Sequence, residues 1–266
     1  MLRNVTLKTF RDMARGLVWW GLGLIALVAL IAGVFPTVRD NKELNQLAQS
    51  YPEAIKGLVS FGGVVDYTSG AGYLGSELFA FMVPILFLIA AIGAGARAIG
   101  GEEERGTLDL LLALPLSRRR LVAEKLAAVL GELVVLGLVL WLALVVSAPL
   151  VDLGISAGHA GAAVLNVVAL AFAYGAIALL VGAATGHRAR AIGITAALAV
   201  GAYLVYSLST LVGFLDQVKE LSPFFHYAAT NPLRSGLAGR HLAFLVAVAA
   251  VAGVAAPLLF ERRDLT

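Results

Sequence analysis

The stretch LAAVLGELVVLGLVLWLALVVSA, residues 126–148, contains one ionisable side chain, Glu132, and is otherwise dominated by Leu, Val and Ala. At a helical rise of 1.5 Å per residue, about 20 apolar residues cross a hydrocarbon layer of about 30 Å. Five more runs have the same character, at 16–35, 74–96, 160–184, 191–215 and 242–260, and none of the six holds a Lys or Arg. The chain of 266 residues is 60 % hydrophobic and 14 % charged, with a mean hydropathy of +0.89. A soluble domain sits nearer half apolar and a quarter charged. The pattern predicts an all-α polytopic membrane protein, a single transmembrane domain over 1–266 with six transmembrane helices. The first run is long and no small-residue cleavage site follows it, so it reads as a retained anchor rather than a signal peptide.

Basic residues set the orientation, because cytoplasmic loops carry the positive excess. Fourteen of the 20 Lys and Arg fall in the N-terminal tail, the 97–125 loop, the 188–190 loop and the C-terminal end. The other side holds six: Arg39, Lys42, Lys56, Lys219, Arg234 and Arg240. This predicts cytoplasmic termini. The basic residues flank spans instead of forming a patch with interleaved aromatics, which argues against nucleic acid as a partner. The chain has no cysteine, so disulfides, thiol catalysis and Cys-based metal sites are excluded. His159, His187, His226 and His241 are scattered without ligand spacing, so no metal site is expected.

Between the spans, Val5, Phe10, Met13 and Leu17 share a helical face, predicting an N-terminal amphipathic elbow helix at the membrane surface. The loop from Pro36 to Tyr73 predicts short external helices, with Gly62, Gly63, Gly70 and Gly72 loosening the chain before the second span. The stretch between Leu215 and Arg240 has two prolines and several aromatics but no span of its own, and suits short helices dipping into the outer interface.

The most informative loop is GGEEERGTLDLLLALPLSRRRLVAEKLAA, residues 100–128. Glu102, Glu103 and Glu104 would lie beside an anionic membrane surface, which is unfavourable unless they face water or a basic partner. Gly106 and Thr107 offer a hinge and a helix N-cap. Leu108, Leu111 and Leu112 fall at i, i+3 and i+4, giving a leucine face that Pro115 ends. Ser117 can cap the next helix, but Arg118, Arg119 and Arg120 stand at its N-terminus, where the helix dipole disfavours cations. Lipid phosphates or a partner's carboxylates would compensate. The pattern fits either a docking element for a soluble partner or a basic flank whose helix packs on its own bundle.

This loop resembles the signature of ABC-2 type ABC transporter permeases: an acidic run, G-T-L, an acidic residue, a leucine pair, a proline, then a small residue with Arg, and a later Lys. The matching positions are Glu102, Glu103, Glu104, Gly106, Thr107, Leu108, Asp109, Leu111, Leu112, Pro115, Ser117, Arg118 and Lys125. The resemblance extends to the basic elbow, DYTSGAGYL at 66–74, Pro84, SPFFHYAATNPL at 222–233 and FERRDL at 260–265. It implies a six-span permease of an exporter in the plasma (inner) membrane, paired with a second copy or a closely related permease. It also implies two copies of a separate ABC ATPase subunit holding ATP and Mg, with Glu102 to Arg118, including a cytoplasmic coupling helix between spans 2 and 3, inserting into that ATPase. No cofactor is then expected on this chain, and no G-x-x-x-x-G-K-[ST] phosphate loop occurs in it.

Within the spans, Glu132 lies about 9 Å from the start of its run by the helical rise, a depth that suits an interfacial or structural role better than a gating one. Glu77 is similarly placed near the outer start of span 2, and Asn166 and Tyr174 suit hydrogen bonds between helices. Gly182 and Gly186 make a G-x-x-x-G spacing that 29 glycines would produce by chance. The competing readings are an ATP-independent secondary transporter or channel, whose sign would be an intramembrane ion relay, and a membrane scaffold.

Overall fold

A computed structural model describes residues 5–41, 66–108 and 117–263, with isolated positions at 43, 46 and 50, and side chains from Gly16 onward. All regular structure among these residues is helical. Six long helices have the length and apolarity to cross a membrane. In chain order they are α1 (Val5–Arg39), α2 (Gly70–Ala98), α4 (Arg118–Leu150), α5 (Ala157–Thr185), α6 (Arg188–Leu208) and α10 (Gly239–Glu261). Between them lie α3 (Gly100–Glu104), α7 (Gly213–Val218), α8 (Pro223–Ala228) and α9 (Pro232–Ser235). The end of the bundle carrying α3 is called the motif end below, and the other the far end.

Helix α5 is the centre of the bundle. About 72 % of its apolar window is buried, against 22 % for α6 and for α10. Its sequence explains this: Ala and Gly recur on every face, so neighbours can approach from all sides, as small residues permit between helices in lipid. The most extensive contacts of α5 are with α2 and α10, while α1 packs on α4. A Cβ at Gly95 of α2 would stand 2.1 Å from the Gly175 carbonyl oxygen, so the two backbones touch there. Across the other face, a Cβ at Gly137 of α4 would meet Val168 at 2.8 Å.

Several element ends differ from the sequence-based expectation. Helix α1 is continuous from Val5 and runs one turn past Pro36. Span 2 starts at Gly70 rather than Leu74. Gly70 and Gly72 do not loosen the chain but are helical and tightly packed, with a Cβ at Gly70 falling 2.0 Å from the Leu153 carbonyl oxygen. Ser69 caps this start, accepting from the Gly72 N–H at 3.2 Å. Span 5 stops at Leu208, short of 215, where the Ser209 hydroxyl donates back to the Tyr206 carbonyl at 2.7 Å. The external helices expected between 44 and 59 lie outside the described residues.

Residues Gly75–Met82 of α2 form a π-helical stretch. Its i to i+5 bonding pairs the Val83 N–H with the Leu78 carbonyl, which leaves the Phe79 carbonyl opposite Pro84. Proline has no N–H to give. The hydroxyl of Tyr227, from α8, donates to the Phe79 oxygen instead at 2.7 Å. The stretch before span 6 is thereby seated on the bundle: Tyr227 is 2 % exposed, and its own carbonyl accepts from Asn166 Nδ2 at 2.7 Å.

The Gly95 contact gives a direct test. Gly95→Ala must force α2 and α5 apart and should cost about 1–3 kcal/mol as overpacking. Gly23→Ala, where nothing lies within 4 Å of the added carbon, should be neutral or stabilising. Thermal unfolding of the two variants in detergent, followed by intrinsic fluorescence, should show a lowered midpoint for Gly95→Ala only.

Candidate functional site

At the motif end, α3 is a single turn, GGEEE, closed by a Schellman turn. Gly106 has φ of 66°, its N–H bonds the Glu103 carbonyl at 2.9 Å, and the Thr107 N–H bonds the Glu102 carbonyl at 2.9 Å. Gly106 thus ends the turn. The Thr107 hydroxyl bonds both the Glu102 carbonyl and its carboxylate.

The three glutamates reach three different spans. Glu102 Oε1 accepts from Lys125 Nζ of α4 at 2.7 Å, with Lys125 only 3 % exposed. Glu103 pairs with Arg263, just past α10, and Arg263 also bonds the Ala183 carbonyl of α5 at 3.2 Å. Glu104 Oε1 accepts from the Arg188 backbone N–H at 2.9 Å, an anion at the N-terminus of α6. The acidic run therefore finds its basic partners within this chain. Burial pushes the Glu102 carboxyl up, but hydrogen bonds from Lys125 and Thr107, with the charges of Lys125 and Arg105, hold it below the ordinary carboxylate range.

The arginine run likewise has partners within this chain. Ser117 caps α4, accepting from the Arg120 N–H at 3.3 Å. Arg118 Nη1 donates to the Phe260 and Arg263 carbonyls at 3.0 and 3.1 Å, placing a cation on the C-terminal carbonyls of α10. Arg119 makes a two-point bond to Glu261 at 2.9 and 3.0 Å, and Arg120 bonds Glu124 at 3.0 Å. Leu108 is 3 % exposed, packed in a cluster with Ile99, Leu121, Val122, Leu179 and Phe260. The first residue of the expected leucine face is thus covered by the chain's own bundle. Asp109, Leu111, Leu112 and Pro115 lie outside the described residues.

Among the polar groups within spans, Asn166 forms its expected interhelical bond, whereas the Tyr174 hydroxyl is buried without a hydrogen-bond partner among the described residues. Glu77 is half-buried on the π-helical stretch, in electrostatic reach of Tyr73. Glu132 is 5 % exposed and borders a cavity together with Arg97. Gly182 lies against α3, where an added Cβ would be 3.5 Å from the Gly100 nitrogen, while Gly186 closes α5 with φ of 72°. Their spacing thus serves two separate purposes.

The far end holds two clusters that sequence reading missed. Asp66 accepts from the Thr68 N–H at 2.9 Å, from the Ser69 hydroxyl at 2.7 Å and from Arg234 of α9, tying the start of α2 to the approach to α10. Both partners sit in stretches that resemble the family pattern, but nothing in either indicates the pairing. Burial raises the Asp66 carboxyl, and the bonds from Thr68, Ser69 and Arg234 outweigh it, leaving it at about 2. The histidines are not all scattered: His226 Nδ1 and His241 Nδ1 are 3.0 Å apart, and Phe244 stacks on His226 at 3.8 Å. His226 Nε2 lies 2.8 Å from the Glu220 carbonyl, which can only accept. Neutral His226 therefore carries its proton on Nε2, and His241 Nδ1 donates to its Nδ1. Fifteen residues separate the two, a spacing that carries no sequence signal.

Two measurements follow from these pairs. Lys125→Met strands the half-buried Glu102 carboxylate and should cost about 3–5 kcal/mol, most of which the double variant with Glu102→Gln should recover. Paired thermal melts would show it, and an additive double variant would refute the assignment. For Asp66, a folded value of about 2 lies below the ordinary 3.8, so its stabilisation is complete above the ordinary value and disappears as pH falls through 2. The gap in melting temperature between wild type and Asp66→Asn should accordingly be full at neutral pH and close as pH drops from about 5 towards 2.

A family model described as ABC-2 family transporter protein matches residues 3–265, nearly the whole chain. A comparison with curated proteins returned no match. Six apolar spans, an acidic turn wired to three of them and a family match of this extent agree: the chain belongs to the ABC-2 transporter family and is a membrane permease component of an ABC transporter.

Proposed function

We propose that this permease works in an ATP-driven exporter, as a dimer with a second copy or a closely related permease, powered by two copies of a separate ATPase. The ATPase docks on the segment from Glu102 to Arg118. ATP and Mg belong to that subunit, so this chain itself is no enzyme. The observation that carries the reading is the wiring of α3: Glu102, Glu103 and Glu104 are tied respectively to Lys125, Arg263 and the Arg188 backbone.

A push on a one-turn helix bonded this way moves α4, α6 and the end of α10 together. Two of these links are part-buried ion pairs, Glu102–Lys125 with side chains 15 % and 4 % exposed and Glu103–Arg263, so they transmit displacement with little solvent between the partners, while the Glu104 bond to the Arg188 N–H is exposed. Conversion of ATPase closure into a change in the transmembrane pathway needs such a rigid link. With the motif end cytoplasmic, as the distribution of basic residues indicates, both termini and the α3 segment face the ATPase side of a plasma (inner) membrane.

The chain has no native cysteine, which permits a clean test. In intact cells, a single cysteine at Leu112→Cys should resist a membrane-impermeant maleimide, and one at Asp152→Cys should react. In membranes containing the co-expressed ATPase, Leu112→Cys should cross-link to that subunit and Asp152→Cys should not. Cross-linking from position 152 alone, or vesicle transport by permease plus ATPase that vanadate leaves untouched, would overturn the reading.

A further inference from the structure

We propose that the cavity between α1, α2, α4 and α6 binds a membrane amphiphile whose head group carries both an N–H-bearing ammonium and an anionic oxygen, as in the phosphoethanolamine class. The cavity, of about 420 Å³, is bordered by Trp20 of α1, Leu88 and Arg97 of α2, Glu132 of α4, and Arg188 and Ala199 of α6.

Two side chains there lack what the other could not fully supply. Glu132 is 5 % exposed, and its Oε2 is buried with no hydrogen-bond partner among the described residues. A buried carboxylate oxygen in a transmembrane helix calls for a donor. Arg97 interacts with Glu132 electrostatically, yet the two form no direct ion pair, and among the described residues Arg97 makes no hydrogen bond. Its guanidinium does not turn outward to α3. It folds back along its own helix, where a Cβ on Gly93 would be 3.4 Å from Arg97 Nη1. The acceptor without a donor and the fork of donors without an acceptor therefore belong to two residues that border one space. A group inserted between them must donate to Glu132 and accept from Arg97. Arg188, exposed at the motif end of α6, adds a second cation for the anionic part.

The remaining walls are apolar and extend beyond the charges. A second cavity of about 210 Å³ shares Ile85, Leu88, Ala199 and Val200 with the first and continues to Phe81, Tyr203 and Phe224. The helical rise from Arg97 to Ile85 alone is about 18 Å, room for an extended alkyl chain lying between α2 and α6. Ile85, Ile89 and Val200 are exposed on this side, so the groove opens towards lipid. The chemistry also discriminates between head groups. A quaternary ammonium has no N–H for Glu132, and an anionic head group without a cation satisfies Arg97 while leaving the carboxylate's charge uncompensated and repelled. The site is separate from the Glu102 segment, and the proposal holds whether or not its occupant is carried across the membrane.

Native mass spectrometry of the purified full chain, titrated with lipids of one acyl composition, tests this. The head groups are ethanolamine, its mono- and dimethyl derivatives, choline and glycerol. Binding should weaken as N–H donors are removed, with phosphatidylethanolamine favoured over phosphatidylcholine by roughly tenfold or more, the worth of a charge-assisted hydrogen bond. Glu132→Gln should abolish this preference while retaining binding, and Arg97→Gln should weaken all the phospholipids together. The head-group series uses the unaltered protein, so it decides the matter even if a variant fails to fold. Equal binding of choline and ethanolamine lipids, or a glycerol lipid matching the ethanolamine one, would overturn the proposal. Chain-free phosphoethanolamine should fail to compete at the lipid's concentration; equal competition would mark a soluble-ligand site and overturn the amphiphile assignment.

Discussion

The bundle depends on one contact, the touch of backbone on backbone where Gly95 meets the Gly175 carbonyl. Lipid gives no hydrophobic reason for two apolar helices to meet, so association rests on close packing and on polar groups that satisfy one another. The Ala- and Gly-rich surface of α5 supplies the packing, and α2 and α10 settle on opposite parts of it. With α2 fixed against α5, the positions of Arg97 at one end of α2 and of the π-helical stretch near the other are also fixed. Both features that distinguish this protein, the ion-paired motif end and the short helices seated at the far end, rest on that placement.

Charge follows the same economy of position. Charges at a membrane edge are unfavourable singly and tolerable in pairs, and three ion pairs at the motif end, Glu102–Lys125, Glu103–Arg263 and Arg119–Glu261, join different parts of the bundle. Arg118 and Arg119 bind the last turn of α10, while Glu103 binds Arg263 beyond it, so the final helix is held from two sides. The one-turn helix α3 has little intrinsic stability at its length. Its form comes from the Gly106 stop and from these anchors. A turn built this way is held in place because its ends are tied to the spans, without any length of helix of its own.

The sequence made the spans legible because length and apolarity report directly on lipid. It placed the ends less well, because ends are set by local bonds: Ser69 started α2 early, and the Ser209 back-bond ended α6 early. The acidic and basic runs around Glu102 and Arg118 were visible as runs, and their family pattern was recognisable. Their partners were not, since Glu103 and Arg263 lie 160 residues apart and single charges carry no record of distance. The same holds for Asp66 with Arg234 and for His226 with His241. Gly70 misled for a related reason: a glycine that loosens a loop and one that admits a neighbouring carbonyl look alike until the neighbour is known.

The proline in span 2 has a consequence for pitch. Residue 84 offers no N–H, so α2 must always contain one carbonyl that its own backbone leaves bare. In ordinary α-helical pitch that carbonyl would be Ala80's, four residues back, which borders the lipid-facing groove. The i to i+5 bonding of the π-helical stretch instead sets Phe79 opposite residue 84, within reach of Tyr227. Winding thus works as an addressing system: the number of residues in one turn decides which oxygen is left over, and so whether it points at hydrocarbon or at a hydroxyl brought from the far end of the chain. If that turn were rewound to α pitch, the address would be lost, and with it the bond from Tyr227 to Phe79.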